Sequence, residues 1–142
     1  MTIRQTVLFL FAATALAGAA HAATPEAALT VHLTGVANSK GKVLAALCDE
    51  ASFLKQCAYN VMEKAAPTVD LRFPQVPPGR YAVMVYHDEN DNQKLDKSAI
   101  GMPLEGYGFS RNAKGHWGPP SFKDAAIDVQ PGAATVAIEL AY

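Results

Sequence analysis

The chain carries little charge, little cysteine and one tryptophan. Charged residues make up 18% of its 142 residues and apolar residues half, which excludes a disordered tail. Twelve basic residues face thirteen acidic ones, a formal charge of −1. Without a basic excess to neutralise phosphates, nucleic acid is not the expected partner. The length excludes a large multidomain enzyme. Nor are the local signatures of common catalysts present: the sequence has no G-x-S-x-G, no H-E-x-x-H and no P-loop. Gly108-Phe109-Ser110-Arg111-Asn112 does not form a nucleophile elbow pattern.

Only one long apolar run occurs, and it lies at the N-terminus. Arg4 precedes the stretch Val7 to Ala20, and Ala20-His21-Ala22 has the small-x-small form of a cleavage site. Residues 1–22 are therefore expected to be an export signal cut after Ala22, leaving 23–142 as one domain. The run is too short for a membrane anchor, and no later segment could span a bilayer. The expected location is the periplasm or the exterior. The exported part keeps eleven basic and thirteen acidic residues, since only Arg4 is lost, a net charge of −2. Such a charge gives little electrostatic steering.

In an oxidising compartment the two cysteines, Cys48 and Cys57, are expected to pair as a structural disulfide. Closing a loop of about ten residues stabilises by roughly 2–3 kcal/mol in the loop-entropy model. A C-x-x-C redox motif and ligands at zinc-finger spacing are both lacking.

Period-2 alternation fills the rest. Leu29, Val31 and Leu33 share one face; Val69, Leu71 and Phe73 another; Val136, Ile138 and Leu140 a third. Such runs are half-buried strands. Val43 to Leu47 and Tyr81 to Tyr86 are apolar on both faces, as central strands are. Ala125, Ile127 and Val129 form a further short run. Asn38-Ser39-Lys40-Gly41 reads as a hairpin turn, while Pro77-Pro78-Gly79 and Gln130-Pro131-Gly132 punctuate later strands. The expected fold is all-β: a single antiparallel Greek-key sandwich of about seven strands. One short helix is expected near residues 50–56. A long Gly/Pro-rich loop should run from Asp88 to Pro120, where Gly101 to Pro120 alone hold five glycines and three prolines. Loops of this length are usually functional.

Three groups in or beside that loop carry chemistry. Asp88, Asn90, Asn92 and Asp96 recur as oxygen donors with the spacing of the first half of a calcium loop, with Lys94 placed to offer its carbonyl. Gln93 stands at the turn glycine and Ala99 at the closing acid, so Glu105 is the candidate to complete a Ca2+ shell. The alternative is an Asx-rich turn. Glu105, Tyr107, Phe109, His116 and Trp117 form a second group, in which glycines alternate with aromatics. It is a contact surface for a peptide or sugar, or else a satellite core beneath the loop. The histidines are the third. His87 and His116 could meet with Asp88 and Glu105 as a metal-dependent or hydrolytic site, although each reads more simply as structural or surface.

Val76-Pro77-Pro78-Gly79-Arg80-Tyr81, His87-Asp88-Glu89-Asn90-Asp91-Asn92-Gln93-Lys94-Leu95-Asp96, Gly101 to Ser110 and Gly118-Pro119-Pro120-Ser121-Phe122 together resemble the bacterial family catalogued as domain of unknown function 2141. The resemblance covers nearly all of residues 23–142. It implies an exported protein of Gram-negative bacteria and a seven-stranded sandwich similar to transthyretin-like and carboxypeptidase-regulatory-like modules. It implies no established activity. Relatives usually read His-Asp-Glu-Asn-Gly-Asn-Gly-Lys-Leu-Asp, so Asp91 and Gln93 replace glycines here.

The functional expectation is a non-catalytic binding or structural module meeting an envelope protein, peptide or carbohydrate. The alternative is a small hydrolase or metal enzyme built on His87, Asp88, Glu105 and His116. A third reading places partner binding on the last strand, Thr135 to Tyr142, by β-augmentation.

Overall fold

A computed structural model describes Ala23 and residues 25–142; the expected signal segment, 1–22, lies outside the described residues. Eight strands form two sheets: β1 (Ala27–Thr34), β2 (Lys42–Cys48), β3 (Tyr59–Lys64), β4 (Val69–Val76), β5 (Gly79–Asp88), β6 (Tyr107–Phe109), β7 (Ile127–Val129) and β8 (Gly132–Glu139). One sheet runs β4-β1-β8; the other runs β3-β2-β5-β6, with β7 added to the start of β5. The all-β sandwich holds. Its pairs are antiparallel except one, since β1 and β8 run parallel in register from Ala27↔Gly132 to Thr34↔Glu139. Among the described residues no helix is long and apolar enough to cross a membrane.

Alternation explains the core. In β1 the buried residues are Ala27, Leu29, Val31 and Leu33, and in β4 they are Val69, Leu71, Phe73 and Val76. They pack on Val43, Ala45, Leu47, Val83 and Val85 from the facing sheet. β2 and β5 are central, as their two-sided apolar character predicts. Their second face meets a smaller cluster of Cys48, Phe53, Cys57, Ala82, Phe109 and Ala125. Phe53 contacts Phe109 and Phe122 edge-on, with ring centres 6.0 and 5.7 Å apart. Edge-on packing suits the opposed charge of ring face and rim.

Three local expectations need correction. Glu50 to Gln56 forms turns, not a helix: Leu54 takes a left-handed φ of 61°, which ends any helical run, and the Cys48–Cys57 bridge closes the segment on itself. The only α-helical turn among the described residues is α1 (Phe122–Ala125), begun by Ser121, whose Oγ accepts the Asp124 N–H. Asn38 to Gly41 does not join a hairpin, because β1 and β2 lie in different sheets and the segment crosses between them. Glycine is required at its end. Gly41 has φ +64°, and a Cβ there would lie 1.8 Å from the Asp88 carbonyl oxygen.

The long loop is also subdivided. β6 pairs with β5 in its middle, followed by a 3-10 turn at Ser110–Asn112. Ser110 is fully buried; its Oγ accepts the Val83 N–H and donates to the Ala125 carbonyl, tying the turn to β5 and α1.

Candidate functional site

The segment from Asp88 to Gly106 leaves the end of β5 and returns at β6. Two buried carboxylates anchor it. Asp88 is fully buried; Oδ1 accepts the Asn92 N–H at 3.0 Å and Oδ2 the Gln93 N–H at 2.6 Å. Glu105, also buried, takes the Glu89 N–H on Oε1 and the Asp96 N–H on Oε2, both at 3.0 Å. Each carboxylate thus accepts from two backbone amides of the loop, the Asn92 amide being shared with Asn90 Oδ1.

Within the loop the predicted calcium donors form a network of their own. Asn90 Nδ2 donates to Asp96 at 2.6 Å, and Asn92 Nδ2 to the same carboxylate at 3.0 and 3.1 Å. Asn90 Oδ1 accepts the Asn92 N–H, and Asn92 Oδ1 the Lys94 N–H, as successive Asx turns. The sequence brings Asn90, Asn92 and Asp96 together, with Asp88 bonded to the same Asn92. Glu105 sits at the base of the loop instead. Among the described residues no group of three or more His, Cys, Asp or Glu is placed to share a metal ion. A cation bound here would need the amide oxygens and backbone carbonyls.

Asp91 and Gln93 both take φ of 60°. The turn therefore needs left-handed backbone at those two positions, and this chain supplies it with side chains. Asp91 gains a 3.0 Å ion pair with Lys42.

His87 is fully buried, and both ring nitrogens are used. The Lys40 carbonyl, 2.7 Å from Nε2, can only accept, so Nε2 carries the proton. The Tyr142 hydroxyl lies 2.8 Å from Nδ1 and accepts the Ala37 N–H at 2.9 Å, and a Glu89 oxygen lies 3.9 Å from the same nitrogen. Gly106 makes room: a Cβ there would lie 2.3 Å from the Tyr142 ring. His116 is exposed. Of the four residues proposed for an enzyme, three are buried and hydrogen-bonded inside the fold, and the fourth faces solvent.

The aromatic group divides as well. Phe109 is buried in the smaller cluster and Tyr107 packs edge-on against it, which is the satellite core. Trp117 is fully exposed. A groove of about 460 Å³ lies between β6, the 3-10 turn and the C-terminal segment, lined by Tyr107, Phe109, Asn112, Lys114, Pro120 and Leu140 among others.

What sequence reasoning did not single out is the loop's far end. Lys97 bridges Pro103, and Ser98 accepts the Gly101 N–H and donates its own to Met102, which makes a small hairpin. Ile100 and Met102 at its tip are 86 and 59% exposed, and Leu104, at its base where its N–H bonds the Asp96 carbonyl, is 66% exposed. The available signal was an apolar residue at every second position in Ile100-Gly101-Met102-Pro103-Leu104, beside no strand that could bury it.

These features define a small all-β sandwich with one internally pinned, apolar-tipped loop. The model of the uncharacterised bacterial protein family DUF2141 matches residues 31–137, and the chain belongs to that family. No curated protein and no solved structure matches the chain.

Proposed function

We propose that the protein is an exported, non-catalytic binding module of the cell envelope that engages a protein or peptide partner through the tip of the β5–β6 loop. One observation carries this reading: three large apolar side chains, Ile100, Met102 and Leu104, stand exposed along the hairpin of a loop pinned by Asp88 and Glu105. Isolated apolar side chains on a surface are ordinary, but three within five residues of one hydrogen-bonded hairpin support a contact site. A pre-ordered loop also loses less entropy on binding. Export is supported by the leader-like N-terminus and by the Cys48–Cys57 disulfide. The test is a photo-reactive amino acid at Met102 in growing cells. The expected result is a discrete adduct that the same group at exposed Arg72 on β4 does not give. Equal labelling at both positions contradicts the reading.

A second reading, calcium binding by Asp88, Asn90, Asn92 and Asp96, is favoured by the convergence of both asparagine amides on Asp96. The ion would then further brace the same loop.

A further inference from the structure

Among the described glycines, one is not required by the fold. Gly35, Gly41, Gly101 and Gly132 take left-handed φ, and a Cβ at Gly79, Gly106, Gly108 or Gly115 would meet a neighbour at 3.1 Å or closer. Gly118 has neither property: its φ lies outside the left-handed range, and a Cβ there would meet nothing within 4 Å. It lines the groove of about 460 Å³ between β6, the Ser110–Asn112 turn and the C-terminal segment. The remaining use of glycine is to let a ligand approach the backbone.

The groove opens where two strands part. β6 and the C-terminal segment pair at one position, Tyr107↔Ala141. Beyond it the Asn112 side chain stands opposite Glu139 and takes its N–H on Oδ1 at 2.9 Å. The expected free edge from Thr135 to Tyr142 is thus corrected, since it is covered at Glu139 and Ala141. Arg111 and Asn112 hold the turn with φ of 61° and 48°, left-handed backbone that residues with side chains rarely adopt. Buried Ser110 ties the same turn to β5 and α1. Strain kept in place by its surroundings clusters at ligand clamps.

Several donors face this groove. The His87 N–H bonds Gly106 across the β5–β6 pair, so by alternation Tyr107 and Phe109 turn their N–H groups away from β5. Ala141 accepts the first; the pairing ends before the second. Asn112 spends its oxygen on Glu139 and keeps Nδ2 for a further acceptor. Lys114 adds an ammonium, and Glu139 supplies a carboxylate. Neither charge belongs to any ion pair among the described residues.

We infer that the groove binds a short peptide through its free C-terminal carboxylate. Phe109 N–H, Asn112 Nδ2 and Lys114 Nζ match that carboxylate and the carbonyl before it. Glu139 matches an ammonium, so the two unpaired charges of the groove fit a zwitterion. Tyr107, Pro120 and Leu140 supply apolar wall for small side chains. The peptide extends the edge of β6 by one residue at Phe109 and runs close to Gly118. A neutral saccharide would leave both charges unmatched. The site is separate from the apolar hairpin, and either can exist without the other.

The test is an NMR titration of the isotope-labelled, disulfide-intact protein with trialanine, its C-terminal amide and its N-acetyl form. Trialanine should shift the Phe109 amide and the Asn112 side-chain amide saturably. The C-terminal amide should bind several-fold more weakly, a difference that Lys114→Gln erases. The N-acetyl form should also bind more weakly, a difference that Glu139→Gln erases. Gly118→Leu should lower trialanine affinity several-fold with an unchanged thermal midpoint. No saturable shift at millimolar trialanine overturns the inference, as does equal affinity for the acid and its amide. Shifts confined to Ile100 and Met102 overturn it by moving peptide binding to the hairpin. An N-acetylglucosamine trimer that binds the groove where trialanine does not overturns it in favour of a saccharide.

Discussion

The hydroxyl of Tyr142 lies 2.8 Å from Nδ1 of His87, and each residue completes the other. The histidine gains a hydrogen-bond partner for its second ring nitrogen. The C-terminal residue gains a fixed seat beneath the loop, next to Gly106.

Removing that hydroxyl should therefore matter. Tyr142→Phe breaks two hydrogen bonds and leaves Nδ1 of a buried ring without its hydroxyl partner, at a cost of about 1–3 kcal/mol. The thermal midpoint should fall by several degrees. Burial raises the Tyr142 phenol above 10.0; the Ala37 amide opposes the shift and Glu89 adds to it. Since the folded pKa is the higher one, the stabilisation is complete below the ordinary phenol range and fades as pH rises through the folded value. Denaturant titrations across that alkaline window should show a shallower decline in Tyr142→Phe than in wild type. Some slope should persist, because burial also raises Tyr81 and Tyr86.

Asp88→Ala and Glu105→Ala each remove an acceptor shared by two backbone amides. Each should destabilise by about 3 kcal/mol, the scale of two hydrogen bonds to a charged group offset by partial hydration. Limited proteolysis should show new cleavage confined to residues 89–104. Unchanged resistance there would mean that the loop is held by other contacts.

Gln93→Gly is expected to stabilise. A left-handed side-chain-bearing residue costs about 1–2 kcal/mol, partly offset by the greater freedom glycine has when unfolded. A net gain of about 0.5–1 kcal/mol should appear as a higher denaturation midpoint with an unchanged slope. Asp91→Gly should gain less, because it also loses the exposed Lys42 pair, worth about 0–1 kcal/mol.

Calcium binding predicts a concentration-dependent rise in thermal midpoint between chelator and millimolar calcium, lost in Asp96→Ala. Native-state binding stabilises by about 2.7 kcal/mol at a hundredfold excess over Kd. No difference between calcium and chelator would leave the loop as a self-contained set of Asx turns.

How much of this was legible depends on range. Leu29, Val31 and Leu33 announced β1 because burial alternates residue by residue, and Val43 to Leu47 announced a central strand because both faces are covered. Pairing partners were not legible. Asn38-Ser39-Lys40-Gly41 has hairpin chemistry, yet its glycine is needed for the approach to Asp88, which is distant in sequence. The parallel β1–β8 pair joins the two ends of the domain and leaves no local mark. At the loop, Asn90, Asn92 and Asp96, read in the sequence as cation donors, are hydrogen-bonded to one another. Alternating oxygen donors look the same whether they bind backbone amides or an ion. Glu105 was noticed as a candidate ligand, but its role as a staple rests on amides nine and sixteen residues away.

The most direct measurement is the yield of photo-adduct from Met102 with Ile100 and Leu104 each changed to serine, taken together with the thermal midpoint of that variant. The two side chains are largely exposed, so the fold should be unaffected. A many-fold loss of adduct with the midpoint unmoved is expected if the loop tip makes the contact. An undiminished adduct would contradict it by showing that the apolar tip does not make the contact. A midpoint lowered by several degrees would contradict it by showing that the tip packs against the sandwich rather than facing a partner.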